Sequence, residues 1–184
     1  TILNYNLMTH YNDLSFTVKL NKGQAAVFIK IFSINASMNA NVKQHTMNSI
    51  RKNLKLGFDK ILDRHSGAWL DRWKMADVII KGSPEMQKAV RFNIYHLLIA
   101  SPDDQNVSVG ARTLSGEGYR GHIFWDAEVF IMPFYIYTNP QAAKNMLLYR
   151  YARMNAARQI ARQNKYKGVM FPWESADSGF DSTP

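Results

Sequence analysis

Gly116–Asp126 reads GEGYRGHIFWD, and the meaning of its glycines decides the fold. Gly116, Gly118 and Gly121 spell G-x-G-x-x-G, the turn that holds a pyrophosphate at a helix start in a doubly wound sheet. Ile123 also nearly completes a kinase glycine-rich loop. Each pattern makes demands on its surroundings, and this chain meets neither set. The dinucleotide turn needs a buried strand in front of it, yet residues 103–115, DDQNVSVGARTLS, are polar and turn-rich. Glu117, inside the motif, would repel a pyrophosphate. About 20 residues further on, where an acid should hold the ribose, stands Gln141. A kinase would need a strand lysine soon after the loop, then H-R-D and D-F-G, and none of these is present. The glycines serve something other than a phosphate cradle.

Outward from this stretch the periodicities are mostly helical. From Asn41, the residues Val42, Met47, Ile50, Leu54, Phe58, Ile61 and Leu62 recur at three- and four-residue steps. They predict one long amphipathic helix to about Arg64. Trp69 and Trp73 follow, four apart, and then a short extended piece. Ser83 and Pro84 suit an N-cap and first helical position. They open a helix over 84–101 with Met86, Val90, Ile94, Leu97 and Leu98 on one face. Residues 101–124 form a loop that carries the glycines. A helix over 126–138 is apolar almost all round, which predicts burial between neighbours. Another starts at Asn139 and Pro140 and runs to 167. Near the N-terminus, LSFTVKL (14–20) alternates at period two, NKG (21–23) offers a turn, and QAAVFIKIFSI (24–34) is rich in strand formers. These predict a β-hairpin that closes a larger sheet. Helices joined by elaborate loops, without crossover strands, argue for an α-helical barrel or bundle.

Composition sets further bounds. The 184 residues suit one domain, and 46% hydrophobic with 12% aromatic residues is ordinary for a folded chain. No window approaches about 18 uninterrupted apolar residues, so no membrane span is expected. The N-terminus lacks a signal peptide's basic and apolar regions. It also lacks an initiating Met, and the chain stops at DSGFDSTP; both ends read as cuts through a longer protein. The absence of cysteine excludes disulfides, thiolate chemistry and Cys-ligated metals, and fits a cytoplasmic location. Net charge is +9. Between Val129 and Trp173 there is no acid, while Lys144, Arg150, Arg153, Arg158, Arg162, Lys165 and Lys167 sit mostly on one predicted helix. Such a helix could follow a phosphate backbone. The plainer reading is a solvated face whose acidic partners lie outside this sequence, so nucleic acid is not the expected partner.

What surrounds the glycines suits a sugar better. Tyr119, Phe124 and Trp125 are aromatic; Glu117, Arg120, His122, Asp126 and Glu128 are polar or charged. A pyranose offers an apolar C–H face to an indole and vicinal hydroxyls to a carboxylate. FPWESADSG (171–179) repeats the chemistry with Phe171, Trp173, Glu174 and Asp177, and the two loops could face one pocket. Plainer readings stand beside this one. Asp126 could cap the helix that starts there, with Glu128 complementing the helix dipole. Trp125 and Trp173 could be core. Glu174 and Asp177 could be an acid/base pair or only solvated loop acids. His122 and Asp126 lack further residues to complete a metal-ligand set.

Residues 108–179, SVGARTLSGEGYRGHIFWDAEVFIMPFYIYTNPQAAKNMLLYRYARMNAARQIARQNKYKGVMFPWESADSG, resemble the front half of the catalytic barrel of glycoside hydrolase family 65. That family includes maltose, trehalose and kojibiose phosphorylases. The resemblance reaches back through AWLDRWKMADVIIKGSPEMQKAVRFNIYHLL (68–98), and more loosely through the hairpin and long helix, so it covers nearly the whole chain. GEGYRGHIFWD and KYKGVMFPWES (165–175) are its most specific motifs; Lys165 stands where the family more often has Gly.

The resemblance implies a mainly α chain, a partial (α/α)6 barrel preceded by a helical linker and the last strands of a β-sandwich. Residues 1–36 would be those strands, 37–76 the linker, and 77–184 the first part of the truncated barrel. It implies that Trp125 and Asp126 line the subsite of the non-reducing glucose, with Arg120, His122, Phe124, Trp173 and Glu174 in or beside the same pocket. The implied chemistry is inverting phosphorolysis of an α-glucoside disaccharide to β-glucose 1-phosphate. Inorganic phosphate is the nucleophile and co-substrate, without a cofactor or metal, so the two-carboxylate scheme of inverting hydrolases is not needed. The general acid Glu and the phosphate loop are expected beyond Pro184, so no catalytic residue is assigned here and the chain alone is expected to be inactive. A hydrolase of the same family, such as an acid trehalase, is the alternative; a basic nucleic-acid-binding module and an inactive fragment are the other readings. Family members are often homodimers.

Overall fold

The structure is a computed structural model that describes residues 2–7, 12–35 and 41–184; the expected boundary at 36–37 lies outside the described residues. The chain divides into two compact units, Thr1–His65 and Ser66–Pro184. In the first, β1 (Ile2–Leu7) and β2 (Asn12–Thr17) pair antiparallel, with Ile2 opposite Thr17 and Leu7 opposite Asn12. The hairpin expected from 14–20 and 24–34 is therefore placed differently. Residues 14–17 are in a strand, but their partner lies upstream, and 24–34 belongs to no strand. Val27, Phe28, Ile29, Phe32 and Ile34 are all exposed. Strand-forming composition describes fit to a pleated, half-buried surface rather than a backbone preference. Among the described residues no strand edge pairs with this run.

The single long helix expected to about Arg64 is two. α1 (Val42–Leu56) ends at Gly57, whose φ is 83°, and α2 (Phe58–Ala76) starts afresh. A positive φ turns the chain off the helix axis, and glycine adopts it without a Cβ clash. The hydrophobic periodicity continues across the break, so the pattern alone could not reveal it.

In the second unit, α3 (Pro84–Ile99) begins as expected, with the Ser83 hydroxyl accepting from the Met86 amide at 3.3 Å. Ile94 and Leu98 are buried together with Ala76, against Trp69, Trp73 and Val90. Leu97 is half-buried and Met86 exposed. A larger cluster holds Val109, Ile123, Ala127, Tyr135, Ala142, Ala143, Met146 and Tyr149, and Phe134 packs against both.

The helix expected over 126–138 opens with a π-helical turn, Ala127–Ile131, which leads into α4 (Met132–Thr138). The Met132 amide bonds five residues back, to Ala127 O. Pro133 accounts for the wide turn, because its ring removes one amide donor and crowds the carbonyl four residues earlier. The expectation that this helix is buried all round is corrected: Val129, Phe130, Ile136 and Tyr137 are 61, 74, 47 and 82% exposed. A helix is buried only where neighbours cover it. Here α5 (Pro140–Ala152) packs on one side, and Tyr135 reaches across to bond Leu97 O in α3.

The last expected helix is also divided, at Arg153, into α5 and α6 (Met154–Gln163). The Asn139 side chain caps α5 by accepting from Ala142 N. Ala142, Met146, Tyr149 and Arg150 share the buried face of α5, as Ala156, Ala157, Ile160 and Ala161 share that of α6. The described unit is thus helices around two adjoining cores. No described helix is long and apolar enough to cross a membrane.

Candidate functional site

The glycine stretch builds a tight left-handed turn. Residues Gly118–Gly121 form one 3-10 turn in which Tyr119 (φ 61°), Arg120 (φ 51°) and Gly121 (φ 75°) are consecutively left-handed. The His122 amide closes it onto Tyr119 O at 2.7 Å. For a non-glycine residue this conformation costs on the order of 1–3 kcal/mol and persists only when its surroundings enforce it. One enforcing contact is Gly110. A Cβ added there would stand 3.2 Å from both Cα and O of Gly121, so the two backbones meet as closely as a side chain would forbid. The Ala111 amide also bonds His122 O at 3.3 Å. These glycines shape a turn that presents the next five residues.

Those residues enter a two-residue strand. β3 (Ile123–Phe124) pairs antiparallel with β4 (Glu174–Ser175), Ile123 opposite Ser175 and Phe124 opposite Glu174. The pairing joins the two loops whose composition had suggested one pocket. His122 Nδ1 lies 2.6 Å from Glu174 Oε1. Trp125 and Trp173 meet edge to face with centroids 5.3 Å apart, and Phe124 packs on Trp173 at 5.9 Å. Tyr119 adds a fourth ring, 5.1 Å from Phe124. Such T-shaped pairs are favourable because ring edges are electropositive and faces electronegative.

Behind the strands lies a buried charged group, where composition predicts only a solvated face. Arg150, 8% exposed, donates from Nε and Nη2 to the two carboxylate oxygens of Glu128 at 2.9 and 2.8 Å. Nη2 also donates to Phe124 O at 3.1 Å, and Nη1 to Ser175 Oγ at 3.2 Å. Arg153 stacks on the Tyr149 ring at 3.7 Å and pairs with Asp177 at 3.4 Å. Two of the seven basic residues, Arg150 and Arg153, therefore find acidic partners inside this chain, contrary to expectation. Lys144, Arg158, Arg162, Lys165 and Lys167 are exposed, a solvated face. Only long-range closure distinguishes the two inward arginines from the rest, although Arg150 does fall on the apolar stripe of α5.

The seven expected site residues fare differently. Phe124 is buried at 6%, and Trp125 and Trp173 are 43% and 49% exposed, so neither tryptophan is core. Glu174 is 6% exposed and engaged by His122. Asp126 is half-buried and starts the π turn without capping it. Among the described residues its carboxylate has no hydrogen-bond or ion-pair partner. Arg120 is exposed, and no described contact brings its guanidinium to the cluster. A groove of about 510 Å³ runs beside Trp125, lined by Val129, Leu147, Met170, Phe171 and the Glu128–Arg150 pair. A groove of about 530 Å³ elsewhere, along Trp73, Gln87, Lys88, Arg91, Phe92 and Tyr95, has no carboxylate in its lining. Aromatic rings and carboxylates thus meet where Phe124–Asp126 adjoins Trp173–Glu174.

Lys165, leading into the second loop, has φ 62°. This is the conformation in which a glycine is at ease and a lysine is strained. Lys165→Gly is expected to raise stability by about 0.5 kcal/mol, the relief of strain exceeding glycine's added chain entropy. Urea unfolding of the two proteins side by side reads it; a loss of stability would show that the lysine conformation carries no strain.

Comparison with known proteins follows the same residues. The glycosyl hydrolase family 65 central catalytic domain matches residues 91–184. Kojibiose phosphorylase of Thermoanaerobacter brockii is 50% identical over 129 residues, 70% of this chain and 17% of that protein. A kojibiose hydrolase of Flavobacterium johnsoniae is 37% identical over 172 residues, 93% of this chain and 25% of that protein. A solved structure assigned as a kojibiose phosphorylase from the human microbiome superposes with TM-score 0.72 at 26% identity, covering 78% of this chain and 19% of that one. The chain spans between about a sixth and a quarter of the length of the two curated relatives.

Proposed function

The chain belongs to glycosyl hydrolase family 65, and from that membership we propose that it supplies part of the glucose-holding site of an inverting α-glucoside disaccharide phosphorylase. The observation that carries the proposal is the β3–β4 pairing, which puts Trp125–Asp126 beside Trp173–Glu174 while Asp126 keeps its carboxylate uncommitted. In this reading the indole edges and faces pack against the C–H face of the ring, and Asp126 accepts from sugar hydroxyls. The pocket holds the ring while positive charge develops at the anomeric carbon, which is transition-state stabilisation rather than proton transfer.

The reaction balances without a cofactor. A phosphate oxygen attacks the anomeric carbon from the face opposite the leaving sugar, the glycosidic C–O bond breaks, and an acid protonates the departing oxygen. The products are β-glucose 1-phosphate and the second sugar. As the family resemblance implies, we place the general acid and the phosphate-binding loop outside these residues. The domain assignment of 1–36 as the end of a β-sandwich domain, with its described strands at Ile2–Leu7 and Asn12–Thr17, 37–76 as linker and 77–184 as barrel goes with this reading, as do a cytoplasmic setting and a homodimer.

A hydrolase is the second reading, favoured by the kojibiose hydrolase that matches 93% of the chain. The complete enzyme carrying this chain should consume an α-glucoside disaccharide only when inorganic phosphate is present, with glucose 1-phosphate formed in equal amount. Free glucose released at the same rate without phosphate would replace the phosphorylase by the hydrolase.

A further inference from the structure

We infer that Arg150 is a positioning residue that sets the spacing between the two halves of the sugar site, an inference that rests on the function proposed above. The two strands that join those halves are only two residues long each. An isolated two-stranded ribbon is marginal even when much longer, so so short a pair needs a second tie. Arg150 provides one from α5. Four of the five N–H groups of its guanidinium are engaged, and their acceptors bracket the site in sequence. Phe124 O immediately precedes Trp125 and Asp126. Ser175 Oγ immediately follows Trp173 and Glu174. The Glu128 carboxylate stands on the π turn two residues after Asp126. A rigid, planar group with fixed donor directions thus spans both loops and the helix start between them.

The environment makes this tie strict. The Arg150 and Glu128 side chains are 10% and 20% exposed, so neither charge can be left unpaired without a large desolvation penalty. Ser175 completes the frame by bonding Ile123 O at 3.4 Å. Lysine cannot substitute, because an ammonium is a point donor with three N–H groups and cannot reach all four acceptor atoms. With most of its donors occupied, Arg150 acts on the sugar through Trp125, Asp126 and Trp173. Misplacing such groups by about 1 Å costs on the order of 10²-fold in rate.

The test uses the complete enzyme carrying Arg150→Lys and Arg150→Ala. Arg150→Lys should lower kcat/KM for the disaccharide about 10²-fold while leaving the KM for phosphate within about two-fold. Guanidinium ion, added far below unfolding concentrations, should restore about ten-fold of the activity lost in Arg150→Ala. Near-ultraviolet circular dichroism gives a readout independent of turnover. The coupled Trp125–Trp173 signal, identified by its loss in Trp173→Phe, should vanish in Arg150→Ala and return with guanidinium. Should Arg150→Ala fail to fold, Glu128→Gln, which keeps the size of the partner and removes its charge, carries the kinetic and circular-dichroism measurements without the guanidinium step. Variants that keep kcat/KM within about three-fold of the parent, or keep the tryptophan signal intact, would overturn the inference. If the parent enzyme cleaves no α-glucoside with or without phosphate, the proposed function fails instead, and the tryptophan signal alone decides the role of Arg150.

Discussion

Replacing Asp126 with alanine in the complete enzyme is expected to lower kcat/KM for the disaccharide about 10³-fold, and Asp126→Asn about 10²-fold. The carboxylate is half-buried and makes no hydrogen bond to any described residue, so its acceptor sites are free for the ligand. A hydrogen bond to a charged group contributes roughly 1.5–3 kcal/mol. Two vicinal hydroxyls would together lose about 4 kcal/mol, which is near 10³ in rate. Asparagine keeps the size and one acceptor but loses the charge, hence the smaller fall. Steady-state kinetics of both variants, beside a thermal melt showing that the fold is kept, measure the effect. An Asp126→Asn enzyme within ten-fold of the parent would mean that the Trp-Asp pair does not hold the sugar.

The largest effect on stability is expected at Tyr135. Its side chain is 0% exposed, lies within the larger core cluster, and donates from its hydroxyl to Leu97 O at 2.6 Å. Removing the ring leaves a cavity that α4 and α5 cannot close. Tyr135→Ala should therefore cost about 4 kcal/mol in urea unfolding, a large share of the margin of an ordinary domain. Tyr135→Phe should cost only about 1 kcal/mol, the net worth of the hydrogen bond.

The same residue gives a pH signature. Burial pushes its phenol well above the ordinary value of 10.0, since the charged form would lie in the core. The folded chain then holds a proton that the unfolded chain releases above pH 10.0. Stability from this group is complete below that pH and is lost as pH rises beyond it. Tyr135→Phe should flatten the alkaline limb relative to the parent. Parallel limbs, or an alanine variant within 1 kcal/mol of the parent, would show that the ring is less enclosed than described.

Legibility divides along physical lines. Ser83 with Pro84 and Asn139 with Pro140 were readable as helix starts, because a cap is an interaction between residues three apart. The π turn was hidden in plain view at Pro133, whose missing amide matters only once the flanking residues are helical. The strand-like run at 24–34 misled because composition records what a strand would bury and is silent on whether an edge will meet it. Gly57 was passed over since a break does not interrupt hydrophobic periodicity.

The site shows the same division. Residue chemistry alone pointed to Trp125, Asp126, Trp173 and Glu174 as sugar-directed, and the motifs around them identified the family. Nothing local says that His122 meets Glu174 across 52 residues, or that Arg150 reaches Glu128 across 22. By itself the sequence determined where most of the helical chain lies and the caps at Ser83 and Asn139, because those follow from contacts a few residues apart. Only the tertiary structure decided which carboxylates are taken, Glu174 by His122 and Glu128 by Arg150, and which remains open at Asp126. Such partners are chosen by closing long loops around a packed core, and the free energy of that choice belongs to the whole fold rather than to any short segment.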